Sequence, residues 1–170
     1  MKKVFLFLTI AFYFAVIVQS CKKKDEQSSP ATIDLSKSAT IKGVVRANLD
    51  MFNDTSATPM EFAPSGTRLI FQTDAQQFPL NPSGTYDDLI YSTTVGTNGV
   101  YSIKVPTANQ GVNYTLIAVD FEYDQGQRKL VGGYWVTDGT KRKVYTYPNT
   151  PINNVVTDDI IIKDIDYSNN

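Results

Sequence analysis

Beyond residue 38 apolar and polar side chains alternate over short runs, and a period of two marks a half-buried β-strand. Ala39 to Ala47 places Ile41, Gly43, Val45 and Ala47 on one face and Lys42, Val44 and Arg46 on the other. Thr67 to Thr73 follows, with Leu69 and Phe71 sharing a face, then Leu89 to Val95. Thr97-Asn98-Gly99 reads as a hairpin turn, because Asn-Gly accepts the positive φ that tight turns require. Val100 to Val105 puts Tyr101, Ile103 and Val105 on a core face and ends at Pro106. Asn113 to Glu122 is apolar on both faces, as expected of a central strand. Asp124-Gln125-Gly126 reads as a turn, and Arg128 to Val136 as a strand with a bulge at Gly132-Gly133. Asp138-Gly139 reads as a further turn before Arg142 to Tyr147, and Pro148 to Asn154 as a loop. Val155 to Ile162 is the eighth strand, with Val156, Ile160 and Ile162 on one face. Asp164 to Asn170 reads as a polar tail, and no segment sustains a helical period.

The N-terminus follows a different rule. Met1-Lys2-Lys3 precedes an uncharged, almost wholly apolar run from Val4 to Val18, and Gln19, Ser20 and Cys21 come next. A basic start, an apolar stretch and a small residue before the cut describe a secretory signal. Fifteen residues fall short of the roughly 20 that a spanning helix needs. Val18-Gln19-Ser20-Cys21 resembles a bacterial lipobox, with Val and Gln as looser matches than Ser. The resemblance implies cleavage before Cys21 and acylation of that cysteine, palmitate being a typical chain. Each buried CH₂ adds about 0.8 kcal/mol, so several acyl chains anchor without a spanning helix. Lys24-Asp25-Glu26 is similar to the surface-export signal of Bacteroidetes-type lipoproteins, which implies an outer-membrane, cell-surface location. Its alternative is a plain polar tether. The expected organisation is a signal at 1–20, an acylated tether at 21–38, a sandwich at 39–163 and a tail at 164–170.

Composition strengthens the strand pattern. The 150 residues from Cys21 hold 12 Val, 11 Ile and 17 Thr against 7 Leu and 8 Ala. β-Branched side chains favour pleated surfaces, so the expected fold is an all-β, single antiparallel sandwich of about seven to eight strands. Three pieces resemble the carboxypeptidase regulatory-like domain, a transthyretin-like sandwich: Ile41-x-Gly43-x-Val45, Pro64-Ser65-Gly66-Thr67, and the stretch from Thr94 to Pro106. The resemblance implies that fold and a non-enzymatic module for adhesion, assembly or ligand capture. It spans roughly Thr40 to Lys163.

Charge and chemistry narrow the function. The chain has 16 basic and 17 acidic residues, no histidine and one cysteine. Histidine-based triads, Cys-His dyads and histidine-ligated metals are thereby excluded, as is an internal disulfide. Balanced charge argues against nucleic acid as a partner. No cofactor is expected beyond lipid on Cys21. Asp50, Asp54, Glu122 and Asp124, with Glu61, are weak calcium candidates if their loops share one end of the sandwich; otherwise they cap turns. Trp135, the sole tryptophan, with Tyr145 and Tyr147, forms the candidate stacking set for a sugar or a protein, against the alternative that these rings fill the core. The leading expectation is a surface-anchored binding or assembly module that is not an enzyme. A glycan-binding accessory protein of a polysaccharide-uptake system is the alternative, and a small carboxylate-dependent hydrolase the third.

Overall fold

The computed structural model describes residues 33–34, 36–54, 59–78 and 84–169. Cys21, Lys24, Asp25 and Glu26 lie outside the described residues. The chain is all-β: two sheets pack face to face, and among the described residues the helical elements are two short 3₁₀ turns, Met51–Asn53 and Ala75–Gln77. In chain order the strands are β1 (Ser38–Ala47), β2 (Glu61–Phe62), β3 (Arg68–Thr73), β4 (Leu89–Thr94), β5 (Val100–Pro106), β6 (Val112–Ala118), β7 (Phe121–Val131), β8 (Tyr134–Thr146), β9 (Thr150–Val155), β10 (Ile160–Ile162) and β11 (Ile165–Asn169).

The smaller sheet has the order β4-β3-β6-β9, all antiparallel. The larger is built on β1, which pairs with β5 and β2 along one edge and with β10 and β11 along the other. β8 continues outward from β11, and β7 from β8. The β1–β10 and β1–β11 pairs are parallel, so the sandwich is mixed rather than wholly antiparallel.

Alternation explains the core. Ile41, Val45 and Ala47 of β1 face Leu69 and Phe71 of β3 and Tyr114 and Leu116 of β6 in one apolar cluster. Lys42 points to solvent, as its place in the alternation requires. Phe71 and Tyr101 meet across the sheets with ring centroids 6.2 Å apart. The core phenols each find a carbonyl: Tyr101 donates to Lys163 at 2.7 Å, Tyr114 to Pro106 at 2.6 Å and Tyr167 to Val119 at 2.9 Å. A buried hydroxyl left without such a partner would cost about 1–3 kcal/mol. Burial pushes all three phenols well above their usual range. All of the described core lies between Ile33 and Tyr167, so residues 22–170 contain it whole.

Several sequence expectations are corrected. The Asn98-Gly99 turn forms, with Gly99 at φ 73, but it carries the chain from the small sheet to the large one instead of closing a flat hairpin. The strand expected over Asn113 to Glu122 breaks at Val119-Asp120, and β7 begins at Phe121. Pro148 to Asn154, expected as loop, contains most of β9. The run from Val155 to Ile162 breaks at Asp158, whose φ of 66 turns the backbone out of the extended region. Beyond that break Ile161 packs on the core, and Ile160 and Ile162 share the exposed face. The supposed polar tail is β11, with Ile165 and Tyr167 buried. The domain therefore runs past Lys163 to Asn169. At the other boundary Ser38 already belongs to β1, and Ile33 packs on the core.

Candidate functional site

The main departure from the expected strands is β7 with β8. Gly132-Gly133 is a two-residue turn, not a bulge, with φ values of 58 and 87. Positive φ at both central positions is the type I′ requirement, which glycine meets without strain. Cross-strand pairs run from Phe121–Tyr145 to Val131–Tyr134. Asp124-Gln125-Gly126 lies inside β7 and Asp138-Gly139 inside β8, so neither is a chain reversal. The register shifts at Gly126/Arg128, and Gly139 at φ 77 serves the bulged strand.

The root of this hairpin is well fixed. Tyr145 is fully buried and stacks on Phe121 with centroids 5.0 Å apart and planes 7° from parallel. Its hydroxyl donates to the Asn48 carbonyl, and burial raises its pKa. The Asn48–Asp54 loop braces the middle of the hairpin. Gln125 Nε2 donates to Asn48 O at 2.9 Å and Gly126 N to Leu49 O at 3.0 Å. Gly126 lets this approach happen, since a Cβ would stand 2.4 Å from Asp50 Oδ1 and push that carboxylate aside. Glu61 holds the loop by accepting from Leu49 N at 2.7 Å, Asp50 N at 3.2 Å and Asn53 Nδ2 at 2.8 Å.

Beyond Gly126 the support ends. Cross-strand pairing places Leu130 with Trp135 on one face and Val131 with Tyr134 on the other. All four are exposed, at 59%, 53%, 51% and 78% respectively. Arg128 lies over the Trp135 ring at 4.5 Å, and Lys129 pairs with Asp138 at 2.6 Å. The tip also lies far from Ser38. β8 runs antiparallel to β11, and Tyr145 is opposite Asn169. Residues 134–144 therefore continue past the C-terminal end of β11, whereas Ser38 stands at the opposite end of the parallel β1.

The expected stacking set is thus divided. Trp135 is exposed at the tip, Tyr145 is core, and Tyr147 is half-buried against Tyr167 at 6.1 Å. Tyr134 was the missed residue. The signal was present in the sequence, since apolar pairs flank Gly-Gly symmetrically in Leu130-Val131-Gly132-Gly133-Tyr134-Trp135.

The calcium candidates do not converge either. Asp50 caps the Met51–Asn53 turn by accepting from Phe52 N at 2.9 Å. Asp54 is buried; one oxygen accepts from Asn48 Nδ2 at 2.7 Å, and the other has no hydrogen-bond partner. Glu122 and Asp124 instead hold Arg142, at 3.1 and 3.3 Å. Among the described residues no group of three or more His, Cys, Asp or Glu is placed to hold a metal. A groove of about 430 Å³ runs between the bracing loop and the hairpin, floored by Asn48, Gln125, Gln127, Lys141 and Tyr145. Among the described residues its lining contains no carboxylate.

No helix among the described residues is long and apolar enough to cross a membrane. No protein-family model matches the chain, and no curated protein matches it. Among solved structures, a Pseudomonas aeruginosa protein described as a candidate carbohydrate-binding protein is similar at 12% identity. The match covers 75% of this chain and 89% of that one, with a TM-score of 0.27. At that score the likeness carries no argument about fold detail or ligand.

Proposed function

We propose that the protein is a surface lipoprotein, acylated at Cys21, that acts as a non-enzymatic binding module and meets its partner through the β7–β8 hairpin. One observation carries the binding role: four large apolar side chains are exposed on a projecting element whose root is firmly packed. Leaving such groups half or more in water forgoes about 1 kcal/mol or more for each residue. Exposed apolar side chains concentrated on one projecting element are characteristic of an interaction site.

The anchor reading is supported by the sequence from Val4 to Cys21, and the surface reading by Lys24-Asp25-Glu26. A tether at one end of the sandwich and the hairpin at the other let the tip reach a partner without straining the anchor. A sugar platform of paired aromatics gains no support, because Tyr134 and Trp135 face opposite ways and Arg128 already occupies one side of the indole.

Two measurements test the reading. Cys21→Ala is expected to abolish incorporation of labelled palmitate into the protein, and unchanged labelling rejects the anchor. A photo-crosslinking side chain at Tyr134, on intact cells, is expected to give an adduct that the same group at Lys104 does not. Identical patterns from the two positions reject the hairpin as the contact element.

A further inference from the structure

Charge is not spread evenly over the domain. Residues 121–146, which are β7, β8 and their turn, carry five basic and three acidic side chains. The rest of residues 33–169 carries six basic and twelve acidic. The hairpin is therefore a net positive projection on a strongly acidic body. Its last seven residues, Leu130 to Val136, contain no charge at all.

The tip is also apolar on both faces. A flat protein surface or a sugar covers one face of a two-stranded ribbon and leaves the other in water. A medium that surrounds the tip covers both. Glycines at the apex carry no side chain to resist entry, and Trp and Tyr favour the boundary between headgroups and acyl chains. Behind the apolar tip Arg128 lies over the Trp135 ring and Lys129 pairs with Asp138, so it is the net positive charge of the hairpin as a whole that meets headgroup phosphates. From Leu130 to the turn, and back to Trp135, the ribbon is short enough to match the roughly 5–10 Å depth of interfacial insertion.

Resting on the reading that the hairpin is the contact element, we infer that its partner is an anionic phospholipid bilayer, into whose interface Leu130, Val131, Tyr134 and Trp135 insert. The acidic body is repelled by such a surface and the basic hairpin attracted, so the domain approaches tip first. The contact does not require acyl chains on Cys21. If both act on one bilayer, the sandwich is held at its two ends and lies along the membrane.

The sole tryptophan stands at the proposed contact and reports on it directly. Unacylated residues 22–170 are mixed with vesicles of phosphatidylcholine alone or with phosphatidylglycerol. With the anionic vesicles the Trp135 emission is expected to shift to shorter wavelength and to be quenched by brominated acyl chains. Leu130→Asp with Val131→Asp keeps the indole and is expected to weaken vesicle binding by about tenfold or more. Tyr134→Asp, at another exposed position, is expected to act in the same direction. No shift with either vesicle, or an equal shift in the Asp variants, overturns the inference. A shift with a soluble polyuronate and not with vesicles also overturns it, and assigns an acidic glycan. In either case a Tyr134-specific crosslink on cells leaves the hairpin reading intact, whereas loss of that crosslink removes both.

Discussion

Gly43→Ala tests how the two halves of the larger sheet are joined. β10 and β11 lie end to end along one edge of β1, and Lys163-Asp164 between them forms a bulge. The bulge is pinned on both sides of Gly43: Lys163 N donates to Lys42 O at 2.8 Å, and Val44 N donates to Asp164 Oδ1 at 2.9 Å. A methyl group on Gly43 would stand 2.2 Å from the Lys163 carbonyl oxygen and 2.6 Å from its carbon. Ordinary contact requires the bulge to retreat by about 1 Å. That same carbonyl accepts the buried Tyr101 hydroxyl, so the retreat stretches a core hydrogen bond. Overpacking costs about 1–3 kcal/mol and an unpaired buried hydroxyl a similar amount, which gives a destabilisation of about 2–5 kcal/mol. For a domain of this size the melting midpoint should fall by about 5–15 °C. Gly96→Ala is the control, because its nearest neighbours would lie at 3.4 Å, and its cost should stay within about 0.5 kcal/mol. Thermal and urea unfolding of residues 22–170, followed by circular dichroism, reads both. Tyr101→Phe in the Gly43→Ala background should add less than it does alone, by about 1 kcal/mol. An unchanged midpoint for Gly43→Ala, or strict additivity in the double variant, would refute the reasoning.

Asp164→Ala should cost about 1 kcal/mol by leaving Val44 N without its acceptor, whereas Asp164→Asn should recover most of that stability; urea midpoints distinguish the two. Gly132→Ala meets no neighbour within 4 Å but requires φ 58. It should cost about 1–2 kcal/mol in the hairpin alone, seen as faster amide exchange at residues 128–137 with an unchanged global melt. Alkaline pH should destabilise the fold. Tyr101, Tyr114 and Tyr167 are held protonated by burial, while the unfolded chain ionises near pH 10. The folded state then binds more protons, so stability should be intact below pH 10 and fall above it. A flat profile from pH 9 to 11.5 in urea melts would contradict that.

Period-two alternation made the inner strands legible. β1, β3, β4 and β5 form where Ile41, Val45, Leu69, Phe71, Tyr101 and Val105 put them, because those side chains must be removed from water on one face. Where each strand belongs was less legible, since parallel pairing of β1 with β10 and β11 depends on contacts more than 110 residues apart in the chain. The hairpin was misread for a local reason. Asp124-Gln125-Gly126 and Asp138-Gly139 carry turn chemistry, but those glycines serve a close approach to Asp50 and a bulge, while Gly132-Gly133 makes the reversal. β11 was hidden because its outward residues are Asp166 and Ser168, which lower its mean hydropathy although Ile165 and Tyr167 are buried. Of the candidate site, Trp135 was reached from sequence, whereas Tyr134 was missed although its place beside Gly132-Gly133 carried the signal. Tyr145 and Tyr147 have the same side-chain chemistry, and nothing short of the register separates an exposed ring from a buried one.

Radical footprinting of Tyr134 and Trp135 tests the central claim most directly. It would compare the protein in its native cell envelope with purified residues 22–170, using exposed Phe62 on the larger sheet as reference. Oxidation of both tip residues is expected to be fast in the purified domain and several-fold slower in the envelope, with Phe62 little changed. Equal oxidation of the tip in both states would contradict the account.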